Sequence, residues 1–239
     1  MQATTIQRSR NGTPKKTARR PGVPRLLNGD HLTVPEFERR YEALPQEERA
    51  ELIEGIVVMS PPISSDHGKA NSLLDRLLGH YAAVTPHTAV AVNTSVRMDG
   101  QNEYQPDVML WIETGNMSRM RMGVNGVLEG RPELAVEIAW SSRSYDLHEK
   151  KAVYQRNQVP EYIVWEVMDA RIQWFILEKG EYVLSKERAD GLHCSQIFPG
   201  LWLNLRALVS GDGKKVFRTL DRGLKGAEHK AFVRQLAKS

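Results

Sequence analysis

Asp107, Glu137 and Lys150 are the residues of this chain whose types and surroundings could do chemistry together. Asp107 follows Pro106 and opens the apolar run Val108-Met109-Leu110-Trp111-Ile112. Glu137 lies inside the alternating segment Glu133–Ala139, where Leu134, Val136 and Ile138 face one way and Ala135, Glu137 and Ala139 the other. A glutamate in a buried strand is costly unless it is paired or bound to a metal. Lys150 follows Asp146 by four residues and precedes Tyr154 by four, so a helix here sets all three on one face. Two carboxylates and a lysine meet the minimum for metal-assisted phosphodiester hydrolysis. A divalent cation polarises the phosphate and lowers the pKa of a water, while an ammonium neutralises the developing charge. Magnesium keeps several of its waters, so one or two protein carboxylates suffice. The same residues admit plainer readings: Glu137 on an edge strand or in a salt bridge, and Lys150 on a solvated helix face with Lys151 competing for any role.

Positioning these groups requires elements that the pattern supplies in alternation. Thr33 as N-cap, Pro35 in the first turn and Phe37, Tyr41 and Leu44 at helical spacing predict a helix that ends near Pro45. Leu52 to Met59, broken at Gly55, reads as a strand or bent hairpin closed by Ser60-Pro61-Pro62. Asp66 is the expected cap of a helix carrying Leu73, Leu74, Leu77, Leu78 and Tyr81. Strands follow at Ala89–Met98 and Asp107–Ile112, around the turn Asp99-Gly100-Gln101-Asn102. The Met-, Gly- and Arg-rich stretch 113–131 lacks a steady period and reads as a loop. After the strand holding Glu137 come a helix over 146–156, a strand over 162–167, and a hairpin of 171–177 and 181–185 around Lys179-Gly180. Helices alternating with strands predict a mixed α/β fold, a central mixed β-sheet flanked by helices, rather than an all-β sandwich.

Composition bounds the rest. Hydrophobic residues make up 41% of the chain, enough for one full core. No apolar run reaches the roughly 18 residues that a membrane-spanning helix needs, and the start has no secretory h-region. The expectation is a soluble, cytoplasmic protein, in keeping with a single cysteine, Cys194. The net charge of +4 is unevenly spread: residues 1–25 carry +7 and residues 210–239 carry +5, which leaves the stretch between them at −8. We therefore expect a basic tail at 1–25, a globular domain at 26–209 and a basic extension at 210–239. Such ends can hold polyanions by counterion release without reading sequence, or be no more than solvated tails.

Several short pieces in order carry a resemblance. Pro106-Asp107, then Val136-Glu137-Ile138-Ala139 with Ser141-Ser142, Tyr145-Asp146, Lys150, Tyr154 and Val159-Pro160-Glu161-Tyr162 strongly resemble the Uma-two family of restriction-endonuclease-like proteins, within the PD-(D/E)XK nuclease superfamily. Glu51-Leu52-Ile53-Glu54-Gly55, Met59-Ser60-Pro61-Pro62 and His67 match it too, and the resemblance runs from about Leu32 to Leu208. It implies a restriction-endonuclease-like core in which Asp107 and Glu137 are the two metal-binding acids. It also implies that Lys150 takes the superfamily's lysine role from the following helix, since the usual position two residues after the second acid is Ala139 here. Glu51 matches a family glutamate able to add a carboxylate at the site, and His67 a family histidine at its edge. Glu54 competes with Glu51, and strand alternation sets the two on opposite faces. Trp140, Gln158, Ile163 and Glu166 depart from the family's usual polar residue, Gly, Trp and Asp. The implied function is a Mg²⁺- or Mn²⁺-dependent DNA endonuclease, acting as a homodimer if it cuts both strands. The alternative is a catalytically silent nucleic-acid-binding or regulatory protein on the same fold.

Overall fold

The structure, a computed structural model, describes residues 22–45, 47–123, 126–139 and 144–238, without the side chains of residues 116 and 144–147. Trp140, the Ser141-Ser142 pair, most of the expected basic tail and the Asp146 side chain lie outside what is described.

The chain opens with α1 (Val34–Tyr41), preceded by Thr33 at the N-cap position. The hairpin β1 (Ala50–Ile53) and β2 (Ile56–Met59) follows, turning at Glu54-Gly55, both at positive φ. Next comes α2 (Ser65–Ala83), whose N-cap is Ser64 rather than the expected Asp66: its hydroxyl accepts from the His67 N–H. Leu73, Leu74, Leu77, Leu78 and Tyr81 are buried along one face of α2, as their spacing predicts. Each buried leucine contributes about 1.5–3 kcal/mol through the area it withdraws from water.

The segment expected as one strand, 89–98, is two. β3 (Thr88–Val92) and β4 (Val96–Asp99) are separated at Asn93, which sits at φ 47°, and they join different sheets. β5 (Asn102–Tyr104) and β6 (Val108–Ile112) follow. The expected loop over 113–131 instead contains β7 (Met120–Met122) and β8 (Leu128–Gly130). Gly130, at φ 110°, explains part of that misreading. A Cβ there would collide with the Arg119 carbonyl oxygen, so the pairing of β7 with β8 needs a residue that looks like a loop former.

The remainder is β9 (Leu134–Ala139), α3 (Ser144–Arg156), β10 (Glu161–Glu166), the hairpin β11 (Arg171–Glu178) and β12 (Glu181–Leu184), β13 (His193–Cys194), β14 (Trp202–Leu203), α4 (Leu205–Val209), α5 (Gly213–Leu224) and α6 (Ala227–Leu236). One six-stranded sheet has the order β12-β11-β10-β9-β6-β3 and is mixed, because β9 and β10 run parallel while its other neighbours are antiparallel. The parallel pair is joined by the crossover helix α3, which is what a parallel connection requires. A second six-stranded sheet, β2-β1-β5-β4-β8-β7, forms a separate layer that the strand pattern does not predict; its strands are only three or four residues long.

Leu134, Val136 and Ile138 of β9 enter the main core with α2, α5 and α6, while Ala135 and Ala139 face Tyr154, Tyr162 and Phe175. Alternation thus sends Glu137 to the α3 side of the sheet, and two alanines flanking it leave room for that helix. Residues 210–238 do not stand apart from the fold. Val216, Leu220, Phe232 and Leu236 belong to the main core, which therefore continues past residue 209.

Candidate active site

Strand register brings the two acids together. β6 and β9 pair Val108 with Val136, and one step along that antiparallel register sets Asp107 across from Glu137. Asp107 is fixed by its own backbone neighbour, since the Ile138 N–H donates to its Oδ2 at 2.7 Å. The α3 helix then delivers Lys150, whose ammonium donates to Glu137 Oε2 at 3.1 Å and lies 2.8 Å from Glu51 Oε2. One turn further on, the Tyr154 hydroxyl donates to Glu137 Oε1 at 2.7 Å. Glu51 reaches the cluster from β1, and its Oε1 also accepts from the Gln105 N–H at 2.7 Å. Asp107, Glu137, Lys150 and Glu51 are each 5–8% exposed, yet all line one open cleft of about 800 Å³.

His67, in the first turn of α2, lines the same cleft with Nε2 3.0 Å from Asp107 Oδ1. The contact is close but lacks hydrogen-bond alignment, so Nε2 is a buried nitrogen without an aligned partner. Burial opposes protonation of this ring, and Asp107 more than offsets it, so its pKa is raised.

All five residues singled out in the sequence therefore meet in one place. The residues that compete with them do not. Glu54 sits in the β1–β2 turn and pairs with Arg156, and the Lys151 ammonium lies 3.7 Å over the Phe175 ring, away from the carboxylates. The sequence marks Tyr154 as a spacing partner of Lys150 and as one of the residues that carry the family resemblance, but assigns it no role at the site. That same four-residue interval is the available signal that it shares the site. The backbone N–H groups of Ile138 and Gln105 carry no sequence signal at all.

Three carboxylates crowd around one lysine. Burial works against the Lys150 ammonium, but Glu137 and Glu51 outweigh it and hold it protonated. Burial, with Asp107 and Glu51 nearby, lifts Glu137 above the usual carboxylate range although Lys150 pulls it down. The excess negative charge and the oxygen-rich donor set suit a hard divalent cation. Among the described residues no three His, Cys, Asp or Glu side chains converge to enclose one. The donor set would suit an ion that keeps most of its waters, for which Asp107 and Glu137 could serve as ligands, with His67 Nε2, 3.0 Å from Asp107 Oδ1, at its edge.

The fold and this site define a class: a mixed-sheet α/β protein with two sheet-borne acids and a lysine supplied by the crossover helix. The same fold is seen in a solved structure from Anabaena variabilis ATCC 29413, described as "a putative nuclease belonging to DUF820", with 16% identity, coverage of 74% of this chain and 99% of that one, and a TM-score of 0.55. Residues 34–206 match the family model described as "Uma2: Putative restriction endonuclease", and the chain belongs to that family. No curated protein matches it. The matched span contains all five candidate residues and stops before α5 and α6.

Proposed function

We propose that the cleft is the site of a metal-dependent endonuclease that hydrolyses phosphodiester bonds in DNA. The observation that carries this reading is the meeting of Asp107, Glu137 and Lys150, from three separate elements, on the floor of one open cleft. Asp107 and Glu137 would hold Mg²⁺ or Mn²⁺, which supplies charge neutralisation at the phosphate and a more acidic bound water. The chain's own groups do the rest. Tyr154 and the Ile138 N–H orient the two acids, and Lys150 places a fixed positive charge beside the position of the scissile phosphate. Glu51 holds Lys150 in place from the opposite side. Double-strand cutting by one such site per chain calls for a homodimer, and the lone cysteine is in keeping with a reducing cytoplasm.

Asp107→Ala, Glu137→Ala and Lys150→Ala should each abolish Mg²⁺- or Mn²⁺-dependent cleavage in a panel of duplex, branched and single-stranded DNA. Cleavage that survives all three substitutions rules the reading out.

A second reading is favoured by one observation: Lys150 already bridges Glu51 and Glu137, as it would in a catalytically silent nucleic-acid-binding protein. A metal titration separates the two. Bound ion stabilises the folded state by mass action, so Mg²⁺ should raise the melting temperature of the wild type and not of Glu137→Ala.

A further inference from the structure

The cleft presents a difficulty for any polyanion, because its floor is carboxylate-rich and the stretch 26–209 carries a charge of −8. Part of the compensating charge, +5 over residues 210–239, sits on and around α5 and α6, beyond the span of the family match. On α5 and its C-cap, Lys214, Arg218, Arg222 and Lys225 follow one another at four-, four- and three-residue intervals, all exposed. On α6 and its end, Lys230, Arg234 and Lys238 repeat at intervals of four, also exposed. Both stripes lie opposite the buried faces of their helices, which are formed by Val216, Leu220 and Gly223 and by His229, Phe232 and Leu236.

Folding stability does not account for this arrangement. Like charges four residues apart on a helix are destabilising. Lys214 and Lys215 sit in the first turn of α5, where the helix dipole disfavours cations, and that turn has no acid inside it. The acids nearby are used elsewhere: Asp212 caps α5 by accepting from the Lys215 N–H, and Asp221 contacts His80 at 3.0 Å. Among the described residues, Arg222 is the one cation of the two stripes in a salt bridge, to Asp190.

We propose that α5 and α6 form a docking surface for the phosphate backbone of duplex DNA, a rigid capture face separate from the cleft. The inference rests on reading the cleft as a nucleic-acid site. The chemistry fits phosphate because, Arg222 apart, the described stripe residues offer lysine and arginine outside any salt bridge. It does not fit a lipid surface, since an interfacial helix needs an exposed apolar face, and no large apolar side chain of α5 or α6 is exposed. The face is also remote from the chemistry. His80, which touches α5, is thirteen residues along α2 from His67 at the cleft, roughly 20 Å at helical rise. These cations therefore hold flanking DNA and take no part in bond breaking.

The test uses the full chain in EDTA, with a fluorescein-labelled 30-base-pair duplex titrated from about 50 to 200 mM salt. A variant combining Lys214→Gln, Arg218→Gln, Lys225→Gln, Lys230→Gln and Arg234→Gln should bind more weakly. Its log–log salt slope should be shallower by about 0.9 for each phosphate it no longer neutralises, approaching about 4.5 units if all five cations are engaged. The α5-only and α6-only subsets should give intermediate slopes, and Lys179→Gln with Lys186→Gln, exposed cations on and just beyond the β11–β12 hairpin, should leave the slope unchanged. Thermal melts identify any variant that has lost its fold, and the subset variants then carry the comparison. A five-site variant with the wild-type slope overturns the inference, as does one that loses binding to phosphatidylserine vesicles while its DNA binding is intact. A wild type that fails to cleave DNA but shows the stripe-dependent slope refutes the proposed hydrolysis and leaves this surface standing.

Discussion

Glu137 is the residue on which the site turns, because its surroundings are built from both sides. Its Oε2 meets the Lys150 ammonium and its Oε1 the Tyr154 hydroxyl, in a pocket where the Tyr104 and Tyr162 rings pack against Tyr154 at 5.5 and 4.9 Å. Tyr154→Phe keeps those ring contacts and leaves one carboxylate oxygen unpaired. The expected cost is about 1–3 kcal/mol of unfolding free energy, read from urea denaturation. A loss near zero would mean that water reaches Oε1 and that Tyr154 does not position the acid. The two acids stood out in the sequence because an acid in an apolar strand conflicts with its neighbours, and Lys150 stood out only through the family resemblance. The bond from Tyr154 to Glu137 did not, since a buried tyrosine in a helix is ordinary.

At the scale of elements, α3 decides what the site is. It starts near β9, carries Lys150 and Tyr154 past Glu137 and hands the chain to β10, parallel to β9. Its far end is marked by Gln158, held at φ 58°, where the family resemblance leads one to expect glycine. A left-handed conformation costs a non-glycine residue roughly 1–2 kcal/mol, and Gln158 recovers only a side-chain bond to the Gln155 carbonyl at 3.1 Å. Gln158→Gly should therefore stabilise the protein by up to about 1 kcal/mol in thermal or urea unfolding, with the Lys150 contacts unchanged; destabilisation would count against that backbone assignment. The other two departures inside the described residues have plain structural roles. Ile163 is buried in the main core and Glu166 is bound bidentately by Arg171.

Across the whole molecule, burial of acids away from the cleft makes stability depend on pH. Burial pushes Glu161 up to about 7, against hydrogen bonds from the Gln196 N–H and the Ser195 hydroxyl, and pushes Glu103 to about 7, with Arg97 opposing. Both values lie above that of the unfolded chain, so the folded state binds more protons in between. Their contribution is fully present below about pH 4.5 and is lost as pH rises through about 7, on the order of a few kcal/mol in total. Unfolding free energy should fall between about pH 4.5 and pH 7 and level off above it, and Glu161→Gln should flatten that fall; an unchanged slope would remove Glu161 as its cause. The core that buries Glu161 extends through Phe198 and Leu201 to α5 and α6. Apolar packing thus makes the basic end of the chain part of the folded body.

The sequence by itself determined the mixed α/β class, the helical faces of α2 and α3, the alternation that turns Glu137 away from the main core, and the family, because all of these follow from local periodicity and short ordered motifs. Only the tertiary structure decided that 89–98 divides between two sheets, that 113–131 supplies strands, that Ser64 rather than Asp66 caps α2, and that α5 and α6 each lay an apolar face on the main core. The physical reason is common to these cases. Each depends on which distant segment fills a strand's open edge, a helix's free N–H groups or an amphipathic helix's apolar face, and a partner far along the chain leaves no periodic trace in the segment that receives it.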